Sequence, residues 1–131
     1  MSTLKVNNLQ DINGANNSTP EQVAQGRAKF WVTFEGDSSG TNKTINDSFN
    51  VSTVADNGTG DFTINFTSNL SNNNYCVIGG HVGFSNGRNS FRVRPDGGIT
   101  TNQLTSSVRI QCTQDGGMTD ASRIYVAGFG D

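Results

Sequence analysis

From residue 28 to residue 35 the chain alternates without a break. Ala28, Phe30, Val32 and Phe34 fall on one side of an extended backbone, and Lys29, Trp31, Thr33 and Glu35 on the other. A period of two belongs to a β-strand with one buried and one wet face. A helix, with its period of about 3.6, would scatter both sets around its circumference. The alternation returns at Phe62, Ile64 and Phe66, at Phe91 and Val93, at Val108, Ile110 and Cys112, and at Ile124 and Val126, with Phe129 near the end. Ile45, Phe49 and Val51 mark a further strand over residues 44–52, and the nearly continuous apolar run 75–82 reads as a central strand. Turn chemistry separates these runs: Asp56-Asn57-Gly58-Thr59-Gly60-Asp61 is the strongest hairpin signal, with Asn86-Gly87 and Pro95-Asp96-Gly97-Gly98 further on.

Seven or eight short strands at such spacing predict an all-β fold: a single antiparallel β-sandwich or jelly-roll-like domain over residues 27–131. Its expected inward set is Phe30, Val32, Phe34, Phe49, Phe62, Ile64, Phe66, Val108, Ile110, Ile124 and Val126. Composition agrees. Asn, Gly, Thr and Ser make up 60 of the 131 residues, and all four disfavour helix interiors while suiting turns. The length suits one domain.

Residues 1–26 read differently. Leu4, Val6, Leu9 and Ile12 are scattered through a polar stretch with no sustained period, so this segment cannot make its own core. It is expected to be an extended N-terminal arm that buries those four side chains against a partner. Thr19-Pro20-Glu21-Gln22 is a good helix start, with a capping hydroxyl, proline at the first helical position and an acidic first turn. A helix of about two turns or a single turn leading into the first strand both satisfy it.

The catalytic inventory is thin. His81 is the only histidine and has no second His at ligand spacing, so it reads as a strand histidine and no metal or other cofactor is expected. Cys76 and Cys112 read as free, buried thiols, and a Cys76–His81 pair would point to opposite faces of one strand. Glu35 and Asp37 could act as paired carboxylates in glycan hydrolysis, but two acids at a strand end more commonly form a solvated turn. The run from Asp56 to Asp61 offers oxygen donors for Ca²⁺ yet lacks the spacing of an EF-hand loop. Arg88, Arg92 and Arg94 share one face of a strand and fit an acidic partner, either a neighbouring subunit or an anionic glycan. The alternative is a solvated face neutralised by acids such as Asp96. A net charge of −2 gives no bulk attraction to nucleic acid, and no apolar run is long enough for a membrane span. Met1-Ser2-Thr3-Leu4-Lys5 lacks the apolar core of a signal peptide, so export by that route is not expected.

Several stretches resemble small virion structural proteins of tailed bacteriophages, those of marine cyanophages above all. They are Ser2-Thr3-Leu4-Lys5-Val6-Asn7, Asp11-Ile12-Asn13-Gly14, the run from Ser18 to Lys29, Trp31-Val32-Thr33-Phe34, Ser48-Phe49-Asn50-Val51-Ser52, the run from Asp56 to Thr67, Asn74-Tyr75, and the run from Arg123 to Gly130. Many such proteins are of the tail-fibre type. The resemblance implies a non-enzymatic, oligomeric virion component, a homotrimer for preference. It would be made in the host cytoplasm and contact other virion proteins and a host-surface glycan, its N-terminal segment attaching or trimerising it. Two alternatives stay open: a capsid decoration protein clamping capsomers, and a carbohydrate-binding module whose Trp31 or Tyr125 stacks on a sugar ring.

Overall fold

The computed structural model describes every residue except 1, 16, 84–86, 96–98 and 131. Two antiparallel sheets pack face to face as a β-sandwich. The chain forms a short helix α1 (Pro20–Gly26), then β1 (Ala28–Glu35), β2 (Thr44–Phe49), β3 (Val51–Gly58), β4 (Asp61–Phe66), β5 (Cys76–His81) and β6 (Asn89–Val93). A single turn α2 (Ile99–Asn102) precedes β7 (Ser107–Gln114), the two-residue β8 (Gly117–Met118) and β9 (Ile124–Phe129). One sheet has the order β2-β1-β9-β5; the other has β3-β4-β7-β6, with β8 paired to β7.

The alternations account for the core. Phe30, Val32 and Phe34 of β1 and Ile124 and Val126 of β9 meet Val54, Phe62, Ile64, Phe66, Val108, Ile110 and Cys112 of the opposite sheet, all buried. Rings set its geometry: Phe30 and Phe66 centroids lie 4.4 Å apart, and Phe34 meets Phe62 edge-on at 5.3 Å. Phe30 needs room, and the third inward position of β9 is Gly128, where a Cβ would lie 2.0 Å from Cε1 of that ring. Tyr75 closes the same end, its hydroxyl against the carbonyls of Leu104 (2.9 Å) and Ser107 (3.2 Å). Burial pushes that phenol well above its ordinary pKa.

The helix start behaves as its residues dictate. Thr19 Oγ1 accepts from the Gln22 amide at 3.2 Å and Gln22 Oε1 accepts from the Thr19 amide at 2.8 Å, a reciprocal capping box.

Four expectations need correction. The strand over 44–52 is two strands in different sheets, broken at Asn50, which takes a left-handed φ of 55°. Asn50 clamps this corner: its Nδ2 donates to the carbonyls of Lys29 and Ser68 at 3.1 Å, and its Oδ1 accepts from the Ser68 amide at 2.8 Å. Phe49 is not in the core; it is 53% exposed. Ile45 pairs with Phe34 but Asp47 with Thr33, so a bulge spends one extra residue of β2 and reverses its facing thereafter. β5 is an edge strand, paired among the described residues with β9 alone, and its inward side carries Gly79 against the Phe91 ring rather than a full apolar row. The segment 114–120, which carries no alternation and so reads as a loop, holds β8, turned back by Asp115 (φ 51°) and Gly116 (φ 85°). Of the expected turns, Asn86 and residues 96–98 lie outside the described residues.

Candidate binding face

The same parity that buries Phe30, Val32 and Phe34 turns Trp31 and Thr33 outward, and sheet pairing extends that row sideways. Trp31 lies opposite Phe49 on one side and Ala127 on the other, and Ala127 lies opposite Ile78. Directly paired Cβ atoms stand about 4.5–5.5 Å apart. Phe49, Trp31, Ala127 and Ile78 therefore form one apolar row across all four strands of the β2-β1-β9-β5 sheet. The next row carries Thr33 opposite Tyr125 and Tyr125 opposite Gly80. Ile78 is 53% exposed and Tyr125 49%. Trp31, Thr33, Ile78, Gly80, Tyr125 and Ala127 line a shallow depression. Thr33 Oγ1 is buried there and has no hydrogen-bond partner among the described residues. The depression adjoins a second through Trp31, bordered by Arg27, Lys29, Phe49, Asn69 and Leu70. Arg27 in turn borders a third, between Leu4, Val6 and Leu9 of the arm and Val23 and Ala24 of α1.

The arm's four apolar residues are all exposed, Leu4 82% and Ile12 99%. The arm is not extended throughout. Leu9 and Ser18 exchange two backbone hydrogen bonds of 2.8 Å, and Asp11 Oδ1 accepts from the Asn13 and Ala15 amides, closing residues 9–18 into a loop.

The arginines fare differently from one another. Asp61, only 4% exposed, is gripped by Arg109 in a two-bond fork (Nε to Oδ1 2.8 Å, Nη2 to Oδ2 2.9 Å), and Arg94 Nη1 reaches the same Oδ2. Arg94 thus has a counter-charge within the domain, as a nearly dry carboxylate on the outer side of β4 requires. Arg92 is exposed, with Nε on Gln111 Oε1 at 3.1 Å. Arg88 is exposed, and its backbone amide donates to Asp115 Oδ1 at 2.9 Å. Asp61 and Arg109, 48 residues apart, were not linked by the sequence reading.

The carboxylates considered for Ca²⁺ have protein partners. Asp56 Oδ2 takes Lys43 Nζ at 2.8 Å and its Oδ1 takes the Gly58 amide at 2.9 Å, so Lys43 foremost holds that carboxyl below its ordinary pKa. Among the described residues no three His, Cys, Asp or Glu side chains group as a metal site. Glu35 Oε1 accepts from Asn46 at 3.1 Å and lies 4.0 Å from Arg123. His81 spans the sandwich, with Nε2 3.2 Å from the Thr113 carbonyl and Nδ1 buried with no partner among the described residues. Both cysteines are free, but only Cys112 is buried; Cys76 is exposed because it sits on the outward side of edge strand β5.

The apolar face was only partly legible in advance. The alternation marks Trp31 and Tyr125 as outward aromatics, but by the same parity Phe49 reads as core and Ile78 as part of a central strand. No helix among the described residues is long and apolar enough to cross a membrane. Comparison with known proteins finds no matching family model, no matching curated protein and no matching solved structure.

Proposed function

We propose that this chain is a non-enzymatic structural module of a tailed-phage particle, of the tail-fibre or tail-associated type, working as a homo-oligomer, a homotrimer for preference. The observation that carries the reading is the apolar row Phe49–Trp31–Ala127–Ile78, exposed at Phe49 and Ile78 and half-buried at Trp31 and Ala127, on a chain whose arm also exposes Leu4 and Ile12. Contiguous exposed apolar surface on a small domain marks a contact site. Its side chains offer packing rather than reactive groups, which fits assembly. Arg88 and Arg92 add exposed positive charge on the other sheet, suited to an acidic partner such as a host-surface glycan. The resemblance to small virion proteins supplies the setting.

The test is location and incorporation. Gold-labelled antibody on purified particles should decorate the tail. A phage encoding the chain without residues 1–26 should yield a folded β-domain that is missing from particles. Labelling confined to the head would instead favour the decoration protein that clamps capsomers. Normal incorporation without the arm would overturn the arm's role.

A further inference from the structure

We infer that the apolar face of the β2-β1-β9-β5 sheet is the seat for the N-terminal arm of a second copy of this chain, so that each copy gives an arm and receives one. The inference rests on the proposed homo-oligomer and names the contact that makes it.

The chemistry of the face selects the occupant. Its middle is Trp31, Phe49, Ile78 and Ala127, with only the hydroxyls of Thr33 and Tyr125 among them, and its charges, Lys29, Glu35 and Asp47, lie at the rim. A ligand rich in polar groups would lose water there and gain few hydrogen bonds. Hydrocarbon side chains lose nothing, and the arm presents four: Leu4, Val6, Leu9 and Ile12.

The arm's own chain does not cover them. Leu4, Val6 and Leu9 border an open groove with α1, and the Leu9–Ser18 pairing ties the arm to that side of the molecule. Leu4, Val6 and Leu9 gather with Val23 into one exposed apolar knob and Ile12 stands apart, 99% exposed, while Phe49 and Ile78 of the same chain's apolar face are exposed as well.

Size agrees. Four strands at about 4.8 Å put roughly 14 Å between the ends of the row, and an extended run from Leu4 to Leu9 spans about 17 Å. The face as a whole is roughly 20 Å by 20 Å, about 400 Å², by the same spacings. A stable interface takes about 800 Å² from each partner. Two such faces pressed together fall short by half. An arm exchange adds the donor's knob to the acceptor's face and, closed into a ring, counts both on every copy.

The experiment is a complementation between two broken copies. One lacks residues 1–12 and keeps the face; the other keeps the arm and carries Ile78→Asp with Trp31→Phe. Each alone should sediment as a monomer at concentrations where the full chain is oligomeric, with a cooperative melt showing that it is folded. Mixed, they should form a one-to-one heterodimer and no larger species, because one arm and one face remain. Trp31 is the chain's only tryptophan, so the arm-less copy reports directly on the face. Its emission should move to shorter wavelength on mixing.

Failure to form the heterodimer from folded partners would overturn the arm's seating. So would an arm-less copy that stays oligomeric, although the homo-oligomer itself would then stand. A full-length monomer at all concentrations would remove both. A monomer whose Trp31 emission shifts with maltoheptaose would overturn arm docking in favour of a sugar site.

Discussion

The two outer faces of this sandwich come from the same short, alternating strands but treat their outward positions in opposite ways. On the β3-β4-β7-β6 sheet they are polar and satisfied by one another. Asp61 holds Arg109 and Arg94, Asn65 Nδ2 donates to Thr53 Oγ1 at 3.0 Å, and Asn57 Nδ2 donates to Thr63 Oγ1 at 2.8 Å. On the β2-β1-β9-β5 sheet they are Phe49, Ile78 and Tyr125, all exposed, with Trp31 and Ala127 half-buried among them. A face whose polar groups bond each other gains little from further cover. An uncovered apolar face gains from any cover that removes it from water. Exposure alone therefore does not say which surface binds; the state of the side chains does.

Substitution inside and outside the apolar sheet should break this contrast most visibly. Phe66 packs on Phe30 and Tyr75 within the core, so Phe66→Ala should cost about 3–5 kcal/mol in urea unfolding. Phe49→Ser, on the outer face, should change the stability of the isolated domain by less than about 0.5 kcal/mol. Comparable losses at the two sites would mean that the bulge opposite Thr33 does not turn Phe49 outward.

The polar face should respond at an intermediate level. Asp61→Asn removes the shared acceptor of two guanidiniums. A fully buried orphaned charge costs about 3–5 kcal/mol, but Arg94 and Arg109 keep 24% and 34% of their side chains in water, so about 2 kcal/mol is expected. Arg94→Gln should cost about 1 kcal/mol, because the Arg109 fork remains. Arg92→Gln, exposed, should cost less than about 0.5 kcal/mol. Equal, negligible effects from all three would show that this face is merely solvated.

A smaller effect belongs to the seam joining the sheets, where Lys43 pairs with Asp56 and its amide bonds the Val54 carbonyl at 2.8 Å. The Asp56 carboxyl lies below its ordinary 3.8 in the folded chain, mainly through the Lys43 hydrogen bond. The charged form is thus favoured by folding. Its contribution is complete above the unfolded value and disappears as pH falls through the lower, folded one. Urea midpoints should hold from neutrality to about pH 5 and decline below about pH 4. In Asp56→Asn that decline should shrink. An unchanged acid limb would assign it to other carboxylates.

What the sequence made legible was whatever period and local chemistry determine. The alternation around Phe30 matched β1 at both ends, and Thr19 followed by Pro20 marked the helix start, because a cap and a first turn are set by neighbouring residues. What escaped depended on distant pairing. Nothing near Phe49 announces a bulge, which exists only against β1. Asn50 reads as a strand residue until a corner between sheets requires its left-handed backbone. The run 75–82 looked central because hydropathy cannot separate an edge strand with an apolar outer side from a strand buried on both. That ambiguity hid Ile78, as the bulge hid Phe49, and these are the two ends of the apolar row.

The finest probe of the contrast leaves stability untouched and uses the two thiols. Cys112 points into the core, fully buried, and burial with the nearby charge of Asp120 pushes its thiol up to about 12. At pH 8 it carries almost no thiolate and admits no reagent, so it should resist iodoacetamide until the domain unfolds. Cys76 lies outward on β5, two residues from Ile78 and opposite Phe129, and should react readily in the folded chain. Its rate also reads the cover of the apolar face: an arm from a second copy seated beside Ile78 would slow it, and removing residues 1–12 would restore it. Cys112 is the internal control, since its reaction tracks unfolding alone. Equal rates at Cys76 with and without the arm, measured by mass spectrometry on the oligomeric full chain, would place the arm away from the β5 end of the row. A slower rate in the full chain, with Cys112 unreactive in both, would distinguish cover from a general tightening of the fold.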